Sequence, residues 1–147
     1  MKMSVSLNTT SLDAYKANLD KITLVVGKAA ADVEAQAKTS ILTNSGQYKE
    51  YVRGKDKDKI HWSSPPGSPP NSDTGNLANS IVHGLELSRA KGVTAFVKAD
   101  AKYAVPLELG WTSKGGNTVP ARPFMTPALM FVRPVFVRAM KAIMKGQ

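Results

Sequence analysis

SLDAYKANLDKITLVVGKAAADVEAQAKTSILTN, residues 11–44, decides the architecture. Leu12, Tyr15, Leu19, Ile22, Val26, Ala29, Val33, Ala37 and Ile41 recur every three or four positions. That spacing gathers side chains on one face of an α-helix. Thr10 or Ser11 offers an N-cap oxygen, and Asp13 places negative charge in the first turn. Asn44 and Gly46 supply the stop. Gly27, inside the run, costs the helix ~1 kcal/mol of propensity. One apolar stripe of this length needs a partner along its whole reach. The chain's own sheet and a neighbouring subunit are both expected to contribute.

Downstream of the helix, residues 45–73 predict a long loop. It holds the basic cluster GKDKDK (54–59), then HWSSPPGSPPNSDTG (61–75) with two proline pairs. Proline fixes φ and removes amide donors, so this stretch should be extended and outside any sheet interior. A loop that long is functional or disordered, and the expectation is that it orders only against a partner. Tyr48, Tyr51 and Trp62 suggest that parts of it dock.

Beyond it, TGNLANSI (74–81) predicts a short helical turn entering a strand over 80–88, with Gly84 allowing a bulge. Residues 89–92 form a turn. Val93, Ala95 and Val97 alternate with Thr94, Phe96 and Lys98, giving the second strand of a hairpin. In YAVPLELG (103–110), Pro106 excludes a central strand, so a turn and a short edge strand are predicted. Residues 111–119 should be a loop and 120–123 extended. A closing helix follows. Thr126 is its cap and Pro127 its first residue, while Val132, Phe136, Ala139, Met140 and Ile143 share a face. Pro134 predicts a kink or restart, and Gly146 ends the helix. The fold class is α+β: a long N-terminal helix, a small antiparallel sheet made of a hairpin plus an edge strand, and a C-terminal helix. All 147 residues are expected to form one domain.

Composition removes several function classes. There is no cysteine, so neither disulfides nor thiolate metal sites exist. His61 and His83, 22 residues apart with no acidic cluster beside them, make a poor metal site. No apolar run approaches the ~20 residues of a membrane span, and no export signal is visible, so a cytoplasmic site of synthesis is expected. The sequence lacks a nucleophile elbow, a P-loop and a dinucleotide fingerprint. Its acids are too scattered for a two-metal nuclease. The expectation is no enzyme: no catalytic residues, no metal and no cofactor.

The chain carries 20 Lys+Arg against 11 Asp+Glu, a net charge of +9. The last acid is Glu108; Lys114, Arg122, Arg133, Arg138, Lys141 and Lys145 follow without counter-charge. A second basic stretch holds Lys55, Lys57 and Lys59. Such a surface suits phosphate backbones or an acidic partner protein, although a solvated charged face needs no partner at all.

Two segments are distinctive: PPGSPPNSDTGNLANSI (65–81) and YAVPLELGWTSKGGNTVPARPFMTPAL (103–129). In order they present Pro66, Gly67, Pro69 and Pro70, then Thr74, Gly75, Leu77, Ser80 and Ile81. Tyr103, Ala104, Glu108 and Gly110 follow, and finally Ala121, Pro123, Phe124, Pro127 and Ala128. This succession resembles the tail-completion and head–tail joining (neck) family of long-tailed bacteriophages over residues 65–129. Trp111 and Pro106 depart from the family pattern, and both affect a local turn. Each motif is short; their ordered co-occurrence is what gives specificity.

The resemblance implies a structural virion protein at the head–tail junction, assembled in the host cytoplasm. It implies a cyclic homo-oligomer of about six or twelve copies closed by head-to-tail interfaces. It also implies neighbouring neck, connector and tail proteins as partners, and packaged DNA touched without sequence reading. Lys55, Lys57, Lys59, Arg122, Arg133, Arg138 and Lys141 are the candidates for the DNA channel or an interface. For the motif residues the expected roles are structural. Thr74 and Gly75 start the short helix, with Leu77 and Ile81 turned inward. Tyr103 packs on the sheet and uses its hydroxyl. Glu108 forms a salt bridge to Arg122, within the chain or across subunits. Pro123, Phe124 and Pro127 set the exit of the last helix, Phe124 acting as a wedge. The rival expectation is a small basic protein binding DNA without sequence preference. Met130, Phe131, Met140 and Met144 dilute the basic helix and favour a protein interface instead.

Overall fold

The computed structural model describes residues 1–6, 19–53, 56–88 and 92–145. In chain order the elements are β1 (Lys2–Ser6), α1 (Leu19–Leu42), β2 (Lys49–Arg53), β3 (Asp56–Ser63), α2 (Asn76–Asn79), β4 (Ile81–Ser88) and β5 (Gly92–Ala99). Then come α3 (Ala104–Leu109), β6 (Trp111–Thr112), β7 (Thr118–Val119) and α4 (Met125–Met144). The α+β class is therefore as the sequence predicts.

The central sheet has the order β1-β5-β4 and is antiparallel throughout. Val93, Ala95, Val97 and Ala99 of β5 are buried, alternating with half-buried neighbours; this is the period of a strand with one face on a core. Helix α1 lies against β4 and β5 on one side and α4 on the other. It buries Ile22, Val26, Ala30, Val33, Ala37 and Ile41. From α4 come Ala128, Val132, Met140 and Ile143, and the whole forms one cluster with Phe124 and Met125. Within the chain, the predicted stripe packs on the sheet and on α4. Leu19, at the start of α1, is 44% exposed. The predicted helix start, with Thr10, Ser11, Leu12, Asp13 and Tyr15, lies outside the described residues.

Several expectations are corrected. The strand added to the hairpin is β1, paired with β5 from Lys2↔Lys98 to Ser6↔Thr94, which leaves β1 and β4 at the two edges. Residues 103–110 instead contain α3. Pro106 is the third residue of that helix, where a missing N–H leaves no intrahelical bond unmade. The pairing of β4 with β5 runs without interruption from Ile81↔Ala99 to Ser88↔Gly92, so Gly84 makes no bulge. It accommodates Phe96: a Cβ on Gly84 would lie 2.5 Å from Cζ of that ring.

Residues 45–73 are no structureless loop. β2 and β3 form a hairpin in which Tyr51 stacks on His61 with ring centroids 5.6 Å apart. The proline segment after it is tied down on both sides. Asn44 donates to the Pro69 carbonyl, Asn71 donates to the carbonyls of Gly46 (2.6 Å) and Trp62 (2.9 Å), and the Gly67 amide donates to Ala121 (2.9 Å). Within the chain, side-chain amides replace the ladder bonds that proline cannot make. Residues 111–119 likewise hold a minimal hairpin, β6 with β7. Helix α4 passes through Pro134 without a restart; its predicted end at Gly146 lies outside the described residues.

Candidate functional site

The two distinctive segments meet in space, and the joint between α3 and α4 is one half of that meeting. A helix begins with amides that have no intrahelical acceptor. At α4 those of Phe124 and Met125 donate to Oε2 of Glu108 at 2.8 and 3.0 Å, and that of Thr126 donates to Oε1 at 2.8 Å. Glu108 thus acts as a cap from another element, and its carboxylate is buried. Burial pushes its pKa up, but the hydrogen bonds from Thr126, Phe124 and Met125 outweigh that and hold it below the ordinary glutamate value.

This corrects two expectations. Thr126 is not the cap, because α4 starts at Met125 after Phe124, which places Pro127 third in the helix. Glu108 does not pair with Arg122 either. The guanidinium turns away, Nε donating to the Ser64 carbonyl at 2.9 Å and Nη1 to Pro120 at 3.3 Å. The joint is closed by backbone contact: the Arg122 amide donates to Leu107 at 2.6 Å. Gly110 has φ +73°, and a Cβ there would meet Ala121 N and Val119 O at 2.9 Å. Phe124 is fully buried, so it is the wedge the sequence predicts, with Pro123 half-buried beside it.

The other half of the meeting is a cleft of about 380 Å³ between the β2–β3 hairpin, the proline segment, α2 and α3. Thr74, Gly75, Leu77, Tyr103 and Arg122 line it, together with Trp62, Ser64 and Asn71. Gly75, at φ +74°, turns the chain into α2, and the Thr74 hydroxyl accepts the Asn76 amide at 3.4 Å. Leu77 and Ile81 are buried as predicted, and Ser80 caps the end of α2 by donating to the Leu77 carbonyl at 2.7 Å. Tyr103 does not pack on the sheet; it is exposed, and its hydroxyl accepts from Nδ2 of Asn76 at 3.1 Å.

Sequence reasoning passed over the polar lining of this cleft. Ser64 is 1% exposed, yet its Oγ has no hydrogen-bond partner among the described residues, and neither do Oδ1 of Asn71 and Nε2 of His61. Nδ1 of His61 lies 3.3 Å from the Asp73 carboxylate. The one available signal was a serine and an asparagine flanking two proline pairs, where side chains must take over from missing amides.

The basic candidates divide. Arg122 is buried in the cleft wall, while Arg133, Arg138 and Lys141 are exposed on α4. Those three make no ion pair among the described residues. They are interleaved with exposed Met130, Phe131 and Val135, Phe131 being 67% accessible. Residues three or four apart on a helix share a face, so Phe131, Val135 and Arg138 form one stripe, and Arg133, Val137 and Lys141 form another. Lys57 and Lys59 fall on β3, and Lys55 lies outside the described residues.

A partly exposed pair also joins α1 to β4. Glu34 accepts from the His83 amide at 2.8 Å, meets Nδ1 of His83 at 2.5 Å and is bonded by Lys38. Burial raises the pKa of Glu34, but the contacts of Lys38 and His83 bring it below the usual value. Among the described residues no group of three or more His, Asp or Glu could hold a metal, and no helix is long and apolar enough to cross a membrane. No family model matches the chain, and no curated protein or solved structure matches it either.

Proposed function

We propose that this protein is a structural joining or tail-completion component of a tailed bacteriophage, working through its surfaces and assembling as a ring around the DNA channel. The observation that carries the reading is the division of labour in residues 65–129. The residues that resemble the neck family are spent on joints: Gly75 and Gly110 at positive φ, Glu108 capping α4, Phe124 buried beneath it. That frame holds α4 with an outer face that is both apolar and cationic. Exposed large apolar side chains at this density mark a protein interface, and arginine among them is the usual interface cation.

The deciding experiment is electron microscopy of lysates from the parent phage lacking this gene, with and without complementation. Separate DNA-filled heads and tails are the expected result, and tail length tells which side of the junction the protein serves. Normal infectious virions would overturn the proposal.

Binding of DNA by the free protein is the second reading, favoured by Arg133, Arg138 and Lys141 lying exposed without carboxylate partners. It predicts affinity for duplex DNA that falls steeply as salt rises. Affinity unaffected by charge reversal at those three positions would exclude it.

A further inference from the structure

The outer face of α4 carries an apolar row with a cation on each flank and an apolar groove along one side. We infer that it docks an amphipathic helix of another protein, one whose apolar stripe is edged with carboxylates. The inference rests on the reading of α4 as an interface and names the chemistry of what meets it.

Met130, Val137 and Met144 stand seven apart, so they fall in one row along the helix. They are 56%, 37% and 58% exposed. Arg133 comes three residues after Met130 and Lys141 four after Val137, which sets the two cations on opposite sides of the row. Both are exposed, and neither has an ion pair or hydrogen bond among the described residues. From Met125 to Met144 there is no acidic residue, so nothing within α4 answers their charge.

Beside the row the surface is hollow. A groove of about 360 Å³ lies between α4, α1 and β5, with Arg133 and Val137 in its wall. The short side chains of Ala29, Ala30 and Ala95 leave the space, and Ala29 and Phe136 are only half-buried there. A docked helix uses such a set: anchors three, four and seven residues apart enter the apolar track, and edge charges fix partner and orientation. The row spans about 21 Å at ~1.5 Å per residue, the length of about four helical turns. The sign of the edges gives the sign of the partner, because opposite charges steer association and like charges oppose it. The α4 of a second copy would set cations against cations. A phosphate backbone would answer the cations and leave the row and the groove bare.

The test is fluorescence anisotropy on the full chain. The probe is a labelled, lactam-bridged helical peptide of about four turns, with leucines three and four apart on one face and glutamates along both edges. One companion carries Lys for every edge Glu, and another carries Ser for every Leu. The Glu-edged, Leu-faced peptide should saturate the protein and bind roughly tenfold or more tighter than either companion. Met130→Gln combined with Met144→Gln should weaken it by a similar factor and leave the thermal midpoint within about 2 °C, since both sites are exposed. Arg133→Glu combined with Lys141→Glu should transfer the preference to the Lys-edged peptide, a reversal that a damaged fold would not produce. Glu- and Lys-edged peptides binding alike, Leu- and Ser-faced peptides binding alike, or no saturable binding at all would overturn the inference. So would displacement of the probe by duplex DNA or by anionic phospholipid vesicles at lower concentrations than unlabelled peptide requires, which would make the face a nucleic-acid or membrane surface. Loss of self-association in the Met130→Gln, Met144→Gln variant would assign the face to a second copy and overturn it equally. Failure of the peptide together with separate heads and tails in the gene deletion removes this inference and keeps the joining role; a bound peptide together with intact virions does the reverse.

Discussion

Glu108 and Gly110, two residues apart, fix the exit of α4 by different means. The carboxylate accepts three amides of the first turn, so Glu108→Gln keeps one acceptor and loses the charge. We expect a loss of about 1–3 kcal/mol in denaturant unfolding. The linkage has a definite sign. The folded-state pKa of Glu108 is depressed below the ordinary 4.5, and that of Glu34 is depressed as well. Their stabilisation is therefore fully present above about pH 4.5 and is lost as pH falls through the folded values. Wild type should lose stability on acidification in that window, and Glu108→Gln should show a shallower acid limb. Gly110→Ala places a Cβ 2.9 Å from backbone atoms at positive φ; a cost of about 2 kcal/mol or more is expected from its thermal unfolding. The importance of both positions was legible in their spacing within 103–129. Their partners were not, because the acceptors and donors they meet are backbone groups, which no residue letter encodes.

At the level of elements, α1 and β5 were legible because each has a clean period, 3.6 in the helix and 2 in the strand; β4, with only Ile81 buried, was legible as the other arm of the hairpin. The β2–β3 hairpin was hidden by its own composition. KEYVR and DKDKIHWS are dominated by charge and lead into prolines, so no apolar alternation announces them. Their pairing is local, with Tyr51 on His61 as a cross-strand stack. Tyr51→Ala should loosen the hairpin by roughly 0.5–1 kcal/mol and raise amide exchange in 49–63 before it does so in α1. Pro134 is the reverse case, a sequence signal that the element overrides. It sits exposed within α4, and its ring deprives the Met130 carbonyl of its i+4 donor. Pro134→Ala should therefore stabilise the protein by about 1–3 kcal/mol in denaturant unfolding. A neutral or destabilising result would mean that the proline is held by packing instead.

For the whole molecule, one apolar cluster joins α1, the central sheet and α4, yet large apolar groups remain outside it on α4. Phe131→Asp combined with Val135→Asp should leave the thermal midpoint of the isolated chain within about 2 °C of wild type, since exposed sites contribute little to folding. If α4 is an interface, the same variant should abolish complementation in the gene-deletion assay. The helical period set Val132, Met140 and Ile143 on one face and left Met130 and Phe131 off it, as the burial shows, while Met140, also read as an interface residue, lies in the core. The order of the sheet has a further consequence, for biosynthesis. β1 pairs with β5, Lys2 with Lys98, and α1 finds its seat on β4, β5 and α4. Chains leave the ribosome from the N-terminus, so the first strand and the apolar stripe of α1 emerge before the elements that cover them. Loop closure over such separations is slow. The nascent chain therefore carries the uncovered stripe of α1 until β4, β5 and α4 have emerged, which makes it a natural client for ribosome-associated chaperones and ties its yield to their supply as well as to the stability of the finished fold.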